Sequence, residues 1–201
     1  LVFTSGYVAN EAALSTLVQL LPGCVVLSDE KNHASMIAGI RNGRGPKIIF
    51  RHNDLGDLEA KLKTIPLETP KIIAFESVYS MDGDIAPLDR LQQVATDNGL
   101  LLMVDDAHGD GVLGHGRGIA HHFGLQGRID VEVGTLSKAF GVIGGVIAGK
   151  RLVVDYIRAG GRARQSSTGT TPADTAACLA ALDLLERSTA LVDRLWDNTR
   201  S

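Results

Sequence analysis

Four short apolar runs in the sequence are each followed directly by side chains that can carry charge, move a proton or hold a ligand. These groups are Ser28, Asp29, Asn32 and His33; Glu76, Ser77 and Ser80; Asp105, Asp106 and His108; and Thr135, Ser137 and Lys138. In a parallel α/β sheet, ligands bind at the carboxyl ends of the strands. Because Asp105 follows five apolar residues, we expect its carboxylate to be buried beside a cationic or hydrogen-bonding partner. The sequence therefore predicts a site where an acid, a lysine and two histidines meet.

Each of these side chains also has a simpler explanation when it is taken alone. Asp105 and Asp106 could cap a helix or bind a metal ion, and Lys138 could be a solvated surface lysine. A single histidine is more often a hydrogen-bonded core residue than a catalyst. The adjacent pair His121 and His122 suggests a metal site, but neighbouring residues of a helix point about 100° apart and no third ligand follows at a suitable spacing. We therefore expect no metal site.

Taken together, the residues match the requirements of pyridoxal 5'-phosphate. Its aldehyde needs a lysine for a Schiff base, and its ring nitrogen needs a carboxylate in order to stay protonated; Lys138 and Asp105 are the candidates. Its phosphate needs backbone amides at a helix N-terminus, and the turn Ser5-Gly6-Tyr7 precedes a helical pattern. The ring needs a flat side chain against its face, and the sequence offers histidines. Pyridoxal phosphate is therefore the predicted cofactor.

The glycines of Gly141-Val142-Ile143-Gly144-Gly145 leave a competing hypothesis open. Such a segment is typical of a tight turn that enters a strand, and it also resembles a weak nucleotide-binding loop. A dinucleotide fingerprint needs a helix start after the glycines and an acidic residue about 20 positions later, and the sequence has neither. A nucleotide-dependent oxidoreductase is accordingly the less favoured alternative.

The elements that must position these residues alternate along the chain. Apolar runs predict strands, and apolar residues at helical spacing predict the helices between them. The strand runs are Cys24–Leu27, Lys47–Phe50, Lys71–Phe75, Leu100–Val104 and Ile129–Val133, and the helical patterns cover Asn10–Leu21, Leu55–Ile65, Leu88–Ala95 and a segment from Pro172 to about Glu186. Strands that are apolar on both faces indicate a parallel sheet between helical layers. We therefore predict an α/β three-layer sandwich with a mostly parallel sheet.

Composition limits the class of protein. The 201 residues are 44% hydrophobic, and 20 Lys and Arg against 23 Asp and Glu give a net charge of −3, which does not favour nucleic acid as a partner. The apolar runs are far shorter than the roughly 20 residues of a membrane span. The only cysteines, Cys24 and Cys178, lie in apolar surroundings without a paired spacing, which is typical of buried thiols in a reducing compartment. We expect a cytoplasmic protein with no membrane partner.

Four motifs resemble those of the α-oxoamine synthases, pyridoxal-phosphate enzymes of the fold-type I, aspartate-aminotransferase-like group. The motifs are Asn32-His33-Ala34-Ser35, Ser80-Met81-Asp82-Gly83-Asp84, Asp105-Asp106-Ala107-His108 and the segment from Gly134 to Gly141. The resemblance runs through nearly the whole chain. It implies a pyridoxal-phosphate-dependent acyltransferase that joins an amino acid to an acyl-CoA with loss of carbon dioxide.

The resemblance also implies catalytic roles, residue by residue. Lys138 matches the Schiff-base lysine that removes the α-proton, and Asp105 matches the partner of the ring nitrogen. His108 matches a neighbour of the phenolic oxygen of the ring. These three residues are the expected catalytic group.

Further positions match the cofactor-binding residues of the family. Gly6 and Tyr7 match the phosphate-binding turn, and Thr135 matches the hydroxyl residue shortly before the lysine. His33 matches the imidazole stacked on the ring, and Ser80 matches a second neighbour of the phenolic oxygen. These five residues, with Asp105, His108 and Lys138, form the expected cofactor site.

Different parts of the chain resemble different branches of the family. The sequence up to about Asp84 is most like that of 5-aminolevulinate synthases. The sequence is more like that of glycine C-acetyltransferases in Asp105 to Gly109, in His121 to Gly124 and in the helices from Pro172 to Trp196. Both branches use glycine, so we expect glycine and an acyl-CoA as substrates, with CoA, carbon dioxide and an α-aminoketone as products. The alternative is 8-amino-7-oxononanoate synthase, which uses alanine and pimeloyl donors.

The chain departs from the family in one segment and in length. Arg162-Ala163-Arg164-Gln165-Ser166-Ser167 replaces an apolar strand, and burying such polar groups without partners costs on the order of 1 to 3 kcal/mol each, so we expect this segment to be exposed or altered. Family chains are about twice as long. Residues 1–201 are therefore predicted to be the cofactor-binding large domain without the N-terminal segment and the C-terminal small domain, in a homodimer when full length. An inactive cofactor-binding fragment is the remaining hypothesis.

Overall fold

Seven strands form one sheet in the order β1-β7-β6-β5-β4-β2-β3. The computed structural model describes all residues from Leu1 to Ser201. The strands are β1 Val2–Phe3, β2 Val25–Asp29, β3 Lys47–Phe50, β4 Lys71–Glu76, β5 Leu101–Asp105, β6 Val131–Thr135 and β7 Gly145–Gly149. Strands β2 to β6 run parallel to one another, and β7 is antiparallel to both β6 and β1. The predicted, mostly parallel sheet is confirmed.

Helices cover both faces of this sheet. They are α1 Gly6–Leu20, α2 Ala34–Gly43, α3 Leu55–Leu62, α4 Leu88–Asn98, α5 Gly118–His122, α6 Arg151–Gly160, α7 Arg162–Gln165, α8 Pro172–Arg187 and α9 Ala190–Arg200. On one face Leu27, Ile73 and Leu102 of the strands pack with α3 and α4. On the other, Val26 and Met103 pack with α1, α2 and α6. Successive strand residues thus enter opposite cores, which is the three-layer arrangement expected for strands that are apolar on both faces.

Local sequence explains where the elements that frame the site begin and end. Ser5 caps α1, because its Oγ accepts a hydrogen bond from the Val8 amide at 3.2 Å, so the helix starts before the predicted Asn10. Gly99 ends α4 with a φ of 63°, a left-handed conformation that favours glycine. Strands β5 and β6 extend to Asp105 and Thr135, one and two residues beyond the predicted runs, so these polar residues lie in the sheet itself.

The segment from residue 162 to 167 does not join the sheet. Arg162–Gln165 forms the short helix α7, and the side chains of Arg162, Arg164 and Gln165 are exposed. This confirms the expectation that its polar residues do not form a core strand.

The glycines from residue 141 to 145 turn the chain into a strand. Gly141 has a φ of 66° and Gly144 a φ of 146°, and Gly145 begins β7, which is antiparallel to β6. A nucleotide fingerprint requires a helix at this point. The structure therefore contradicts the oxidoreductase alternative at the motif that suggested it.

None of the helices is both long and apolar enough to cross a bilayer.

Candidate active site

The N-terminus of α1 meets the carboxyl end of β6 at one edge of the sheet. A Cβ atom on Gly6 would lie 2.8 Å from the Cβ of Thr135, so only glycine allows this approach. The backbone N–H groups of Gly6 and Tyr7 have no acceptor within the chain, as is usual at the first turn of a helix. Free amides and the positive end of the helix dipole together favour an anion at this point.

Hydroxyl groups line the same position. Thr135 is buried, and its Oγ1 lies 2.9 Å from the Oγ of Ser137 and donates to the Gly144 carbonyl at 3.3 Å. Ser137 and Lys138 follow in the exposed turn after β6. The positive charge of Lys138 acts on Asp105 and on His108, so the lysine lies at the same edge of the sheet as both.

Asp105 is a buried acid without a cationic partner. Its Oδ2 accepts a hydrogen bond from Asn10 Nδ2 at 2.6 Å, and its Oδ1 accepts one from the Ala107 amide at 3.1 Å. Burial raises the pKa of Asp105, while Asn10, Ala107 and the positive charge of Lys138 oppose that rise. A buried carboxylate with donors but no ion pair suits a ligand that brings a positive charge or a proton.

His33 lies at the exposed start of α2. Its ring is the N-cap of the helix, since Nδ1 accepts from the Ser35 amide at 3.2 Å, and the Ser35 hydroxyl lies 2.7 Å from the same nitrogen. The Tyr7 ring stands edge-on, with 6.4 Å between the ring centroids. An imidazole fixed through one nitrogen leaves its face available to a planar ligand.

His108 and Ser80 lie on the two neighbouring loops. His108 is half-buried and Ser80 is exposed, and neither makes a hydrogen bond to Asp105 or Lys138. Burial and then the charge of Lys138 lower the pKa of His108, so its imidazole is neutral near pH 7. The structure thus brings every predicted site residue to the same edge of the sheet.

Three residues at this edge received no role from sequence reasoning. Asn10 and Ser35 are buried polar residues on α1 and α2. In the sequence, each could have been found as a polar residue within an otherwise apolar face of its helix. Glu76 was noted only as a strand-end residue. Its pKa is raised to about 7 by burial and by the neighbouring charge of Asp105.

Asp106 could cap a helix or bind a metal ion according to the sequence, and the structure shows that it caps a helix. Its Oδ2 accepts a hydrogen bond from the Ile119 amide at 2.8 Å, in the first turn of α5. Burial raises the pKa of both Asp106 and the adjacent Asp110, and the charge of Asp106 raises that of Asp110 further. Asp106 therefore caps α5, and of the two neighbouring aspartates only Asp105 faces the candidate site.

One group of side chains is close enough to share a metal ion, and it lies outside the candidate site. Ligand atoms of His52, Asp82 and Asp84 are within 4.8 Å of one another. Asp82 already pairs with Lys31 at 2.9 Å, and His52 already contacts Asp84 at 2.7 Å. These contacts account for the group without an ion, and we assign no metal to it.

A cavity of about 360 Å³ opens beside Lys138. His108 and Asp110 line one side of it. The opposite side is apolar and comes from α8 and the start of α9, through Ala181, Leu184, Leu185, Leu191, Val192 and Leu195. Lys138 therefore borders a largely apolar space.

The site fits pyridoxal phosphate on its own geometry. Asp105 lacks a cation, the first amides of α1 lack acceptors, and Thr135 and Ser137 place hydroxyls next to those amides. Gly6 and Asn10 are four residues apart on α1, or about 6 Å at the rise of a helix. One face of α1 therefore serves an anion at its start and, through Asn10, the buried acid one turn later.

Comparison with known proteins agrees with pyridoxal phosphate as the cofactor. All 201 residues match the family of class I and II aminotransferases. The 8-amino-7-oxononanoate synthase of Thermosipho melanesiensis is 49% identical over 197 residues, which are 98% of this chain and 50% of that protein. The mitochondrial 5-aminolevulinate synthase of Schizosaccharomyces pombe is 55% identical over 160 residues, 79% of this chain and 29% of that protein.

A solved serine palmitoyltransferase from S. paucimobilis has the same architecture. It superposes with a TM-score of 0.94 at 36% identity, and the match covers 100% of this chain and 52% of that one. The chain spans about half the length of the curated relatives it matches. These relatives are α-oxoamine synthases, and they match this chain through the strands and helices that build the site. The chain belongs to the α-oxoamine synthases, a pyridoxal-phosphate-dependent family within the class I and II aminotransferases.

Proposed function

We propose that this chain is the cofactor-binding part of an acyltransferase that condenses an amino acid with an acyl thioester and releases carbon dioxide. The observation that carries the proposal is the meeting of Lys138, the uncompensated acid Asp105 and the free amides of α1 at one sheet edge. When bound, pyridoxal phosphate supplies an electron sink for a carbanion at the α-carbon of the amino acid.

The residues of the chain have distinct tasks in this scheme. Gly6 and Tyr7 bind the phosphate through their amides, helped by the hydroxyl of Thr135. Asp105 would hold the ring nitrogen in its protonated form, because Asn10 and Ala107 hold the carboxylate in place. Lys138 would hold the cofactor through its aldehyde, and its Nζ atom, once free as an amine, would carry the α-proton.

His33, His108 and Ser80 complete the scheme. His33 would pack against the ring face, which its exposed position at the start of α2 allows. His108 is neutral, so its imidazole can donate a hydrogen bond to the phenolic oxygen without adding a charge. The Ser80 hydroxyl, on the loop after β4, is the second donor to the same oxygen.

Among α-oxoamine synthases, the 8-amino-7-oxononanoate synthase reaction has the better support, ahead of the glycine-dependent reactions expected from the sequence. The Thermosipho melanesiensis enzyme matches 98% of the chain, and the apolar cavity beside Lys138 can take an acyl chain longer than acetyl. We therefore propose alanine and a pimeloyl thioester as substrates. A 5-aminolevulinate synthase reaction is the second candidate, because the 160 residues matched by the Schizosaccharomyces pombe enzyme are 55% identical.

We also propose that residues 1–201 are the large domain of a longer, homodimeric protein. The chain spans half the length of its relatives. Leu179 and Leu182, three residues apart on α8, are 63% and 39% exposed and lie outside the cavity lining, and exposed apolar surface is typical of an interface. Light scattering of the protein with and without pyridoxal phosphate tests this assembly, and a monomer under both conditions contradicts it.

The cofactor assignment is tested by covalent labelling. Wild-type protein is incubated with pyridoxal phosphate and reduced with borohydride, and peptide mass spectrometry locates the added mass. We expect one labelled residue, Lys138, and no label in the Lys138→Ala variant. The exposed Lys63→Ala variant is the matched control and retains the label. A label on another lysine, or none on a folded wild-type protein, contradicts the assignment.

The substrates are tested by release of CoA thiol, in the 201-residue chain and in any longer natural form of it. Alanine and glycine are each paired with pimeloyl-CoA, succinyl-CoA and acetyl-CoA. We expect alanine with pimeloyl-CoA to have the highest kcat/KM. A higher value for glycine with succinyl-CoA assigns the protein to the 5-aminolevulinate synthase reaction instead. Cofactor binding without thiol release from any pair means that residues 1–201 do not contain a complete active site.

A further inference from the structure

We infer that Asn10 and Ser35 are positioning residues that join Asp105 and His33 into one hydrogen-bonded unit, in which His33 is neutral and carries its proton on Nε2. The inference rests on the proposed cofactor site, because the unit connects the acid under the ring nitrogen with the imidazole on the ring face. It assigns roles to two residues that neither touch the cofactor nor react.

The unit is built from buried side chains. Asn10 is 2% exposed and Ser35 is fully buried. One amide nitrogen, Nδ2 of Asn10, donates to Asp105 Oδ2 at 2.6 Å and to Ser35 Oγ at 3.0 Å. An amide nitrogen has two hydrogens, so both bonds form at once.

The direction of each remaining hydrogen bond follows from chemistry. The backbone amide of Ser35 can only donate, so Nδ1 of His33, 3.2 Å away, is the acceptor and carries no proton. The Ser35 hydroxyl accepts from Asn10 and therefore has its own hydrogen free to donate to the same Nδ1 at 2.7 Å. Asn10 thus donates to Asp105 and to Ser35, and the Ser35 hydroxyl in turn donates to His33. The proton of the neutral imidazole is left on Nε2.

The orientation of the Asn10 amide is fixed by this arrangement. Turning the amide over would place its carbonyl oxygen against the Asp105 carboxylate, and two acceptors repel each other. The observed orientation leaves Asn10 Oδ1 buried without a hydrogen-bond partner, which is unfavourable for folding. Asn10 therefore leaves its carbonyl oxygen without a donor while its amide donates to both Asp105 and Ser35, which indicates a role in the site rather than in stability.

The unit has two consequences for the proposed site. The donor to Asp105 favours the ionised carboxylate, which the ring nitrogen requires, and the neutral His33 adds no positive charge above a cationic ring. Without Asn10, Asp105 keeps only the Ala107 amide as a donor. Without Ser35, no hydrogen bond connects α1 to the His33 ring.

Two measurements test the inference. The first is the tautomer of His33 in the protein without cofactor, read from the ¹⁵N chemical shifts of its ring nitrogens. We expect an unprotonated Nδ1 and a protonated Nε2 in the wild-type protein. In Ser35→Ala we expect the same tautomer with a shifted Nδ1 resonance, because the hydroxyl donor is lost and the backbone amide of residue 35 remains. A protonated Nδ1 in the wild-type protein, or an unchanged Nδ1 resonance in Ser35→Ala, overturns the inference.

The second measurement is the dissociation constant of pyridoxal phosphate from equilibrium absorbance titrations. We expect Asn10→Ala to weaken binding about tenfold, as is usual when a hydrogen bond to a charged group is lost. Asn42→Ala is the matched control, because Asn42 donates to the surface residue Glu11 at 2.8 Å; its affinity stays at the wild-type value. An Asn10→Ala protein that is folded by near-UV circular dichroism and binds within about twofold of wild type overturns the inference.

The two measurements keep this inference separate from the proposed function. If Asn10→Ala does not fold, the ¹⁵N chemical shifts of the His33 ring in wild-type protein and in Ser35→Ala decide. If wild-type protein is not labelled at Lys138 by borohydride, the proposed function fails, whereas the tautomer of His33 in the free protein still confirms or overturns the hydrogen-bonded unit.

Discussion

Glu76 and Asp105 are register partners on the neighbouring parallel strands β4 and β5, so their buried carboxyl groups lie side by side on one face of the sheet. Asp105 has two hydrogen-bond donors, whereas Oε1 of Glu76 has none. Burial and the charge of Asp105 raise the pKa of Glu76 to about 7. The pair is therefore most stable with the negative charge on Asp105 and a proton on Glu76.

Replacing Glu76 with glutamine is expected to stabilise the protein at high pH. The folded-state pKa of about 7 lies above the ordinary value of 4.5, so ionisation of Glu76 favours unfolding. This penalty grows as the pH rises from 4.5 to about 7 and is constant above that. Glu76→Gln removes it, and its free energy of unfolding should exceed that of wild type by more at pH 8 than at pH 5.

Urea denaturation at both pH values measures this difference. Glu59→Gln is the control, since Glu59 is exposed on α3 and its replacement should have the same small effect at both pH values. A Glu76→Gln effect that does not change with pH contradicts the proposed charge distribution.

His52 should stabilise the protein in the opposite pH range. Its Nδ1 lies 3.0 Å from Asp29 Oδ1 and its Nε2 lies 2.7 Å from Asp84 Oδ2. Burial alone would lower the pKa of His52, but its two carboxylate partners raise it above 6.5 overall. A raised histidine pKa gives stability that is fully present below 6.5 and is lost as the pH rises through the folded-state value.

The His52→Asn variant should therefore lose more stability relative to wild type at pH 5.5 than at pH 9. Thermal or urea unfolding at both pH values measures this loss of stability. His122→Asn is the control, because His122 is exposed and forms no ion pair. An equal loss at both pH values would mean that packing of the ring, rather than its charge, is what holds the loop of Asp84.

Much of the fold follows from local patterns, and the exceptions have a physical cause. Runs of mainly apolar residues predicted β2 to β6, because strands of a parallel sheet that helices cover on both faces are mostly apolar. The short strands β1 and β7 were not predicted. Val2–Phe3 has only two residues, and Gly145–Gly149 is rich in glycine, so their place depends on pairing with each other and with β6.

The site was predictable where it lies at strand ends and not where it depends on helix packing. The strand-end rule identified Asp105, Thr135 and His33. Asn10 was missed because its partner Asp105 is 95 residues away in the sequence, and helical periodicity does not say which turn of α1 faces which strand. Contacts of that kind require the packed structure.

Gly6→Ala tests the approach of α1 to β6. The added Cβ would lie 2.8 Å from the Cβ of Thr135, so the first turn of α1 must move, at a cost of about 1 to 3 kcal/mol in stability. The displaced amides should bind pyridoxal phosphate at least tenfold more weakly, by an order-of-magnitude estimate. Gly169→Ala is the matched control, because a Cβ there meets nothing within 4 Å. Wild-type affinity in Gly6→Ala would show that α1 does not bind the phosphate.

The charge of Lys138 should control the protonation of His108. Burial is the larger cause of the lowered pKa of His108, and the positive charge of Lys138 is the next. Lys138→Met removes the charge and keeps much of the side-chain volume, so the pKa of His108 should rise while remaining below 6.5. Lys138→Arg keeps the charge and should leave the pKa of His108 near its wild-type value, although arginine cannot replace the lysine in a Schiff base.

Proton NMR titration of the His108 ring in the protein without cofactor measures these values, and borohydride labelling of the same proteins reports cofactor attachment. Both variants should lose the label, and only Lys138→Met should shift the pKa of His108. This separates the electrostatic role of Lys138 from its covalent role. If the pKa of His108 is the same in wild type, Lys138→Met and Lys138→Arg, Lys138 is too far away to act on the imidazole. Lys138 and His108 would then not share one site.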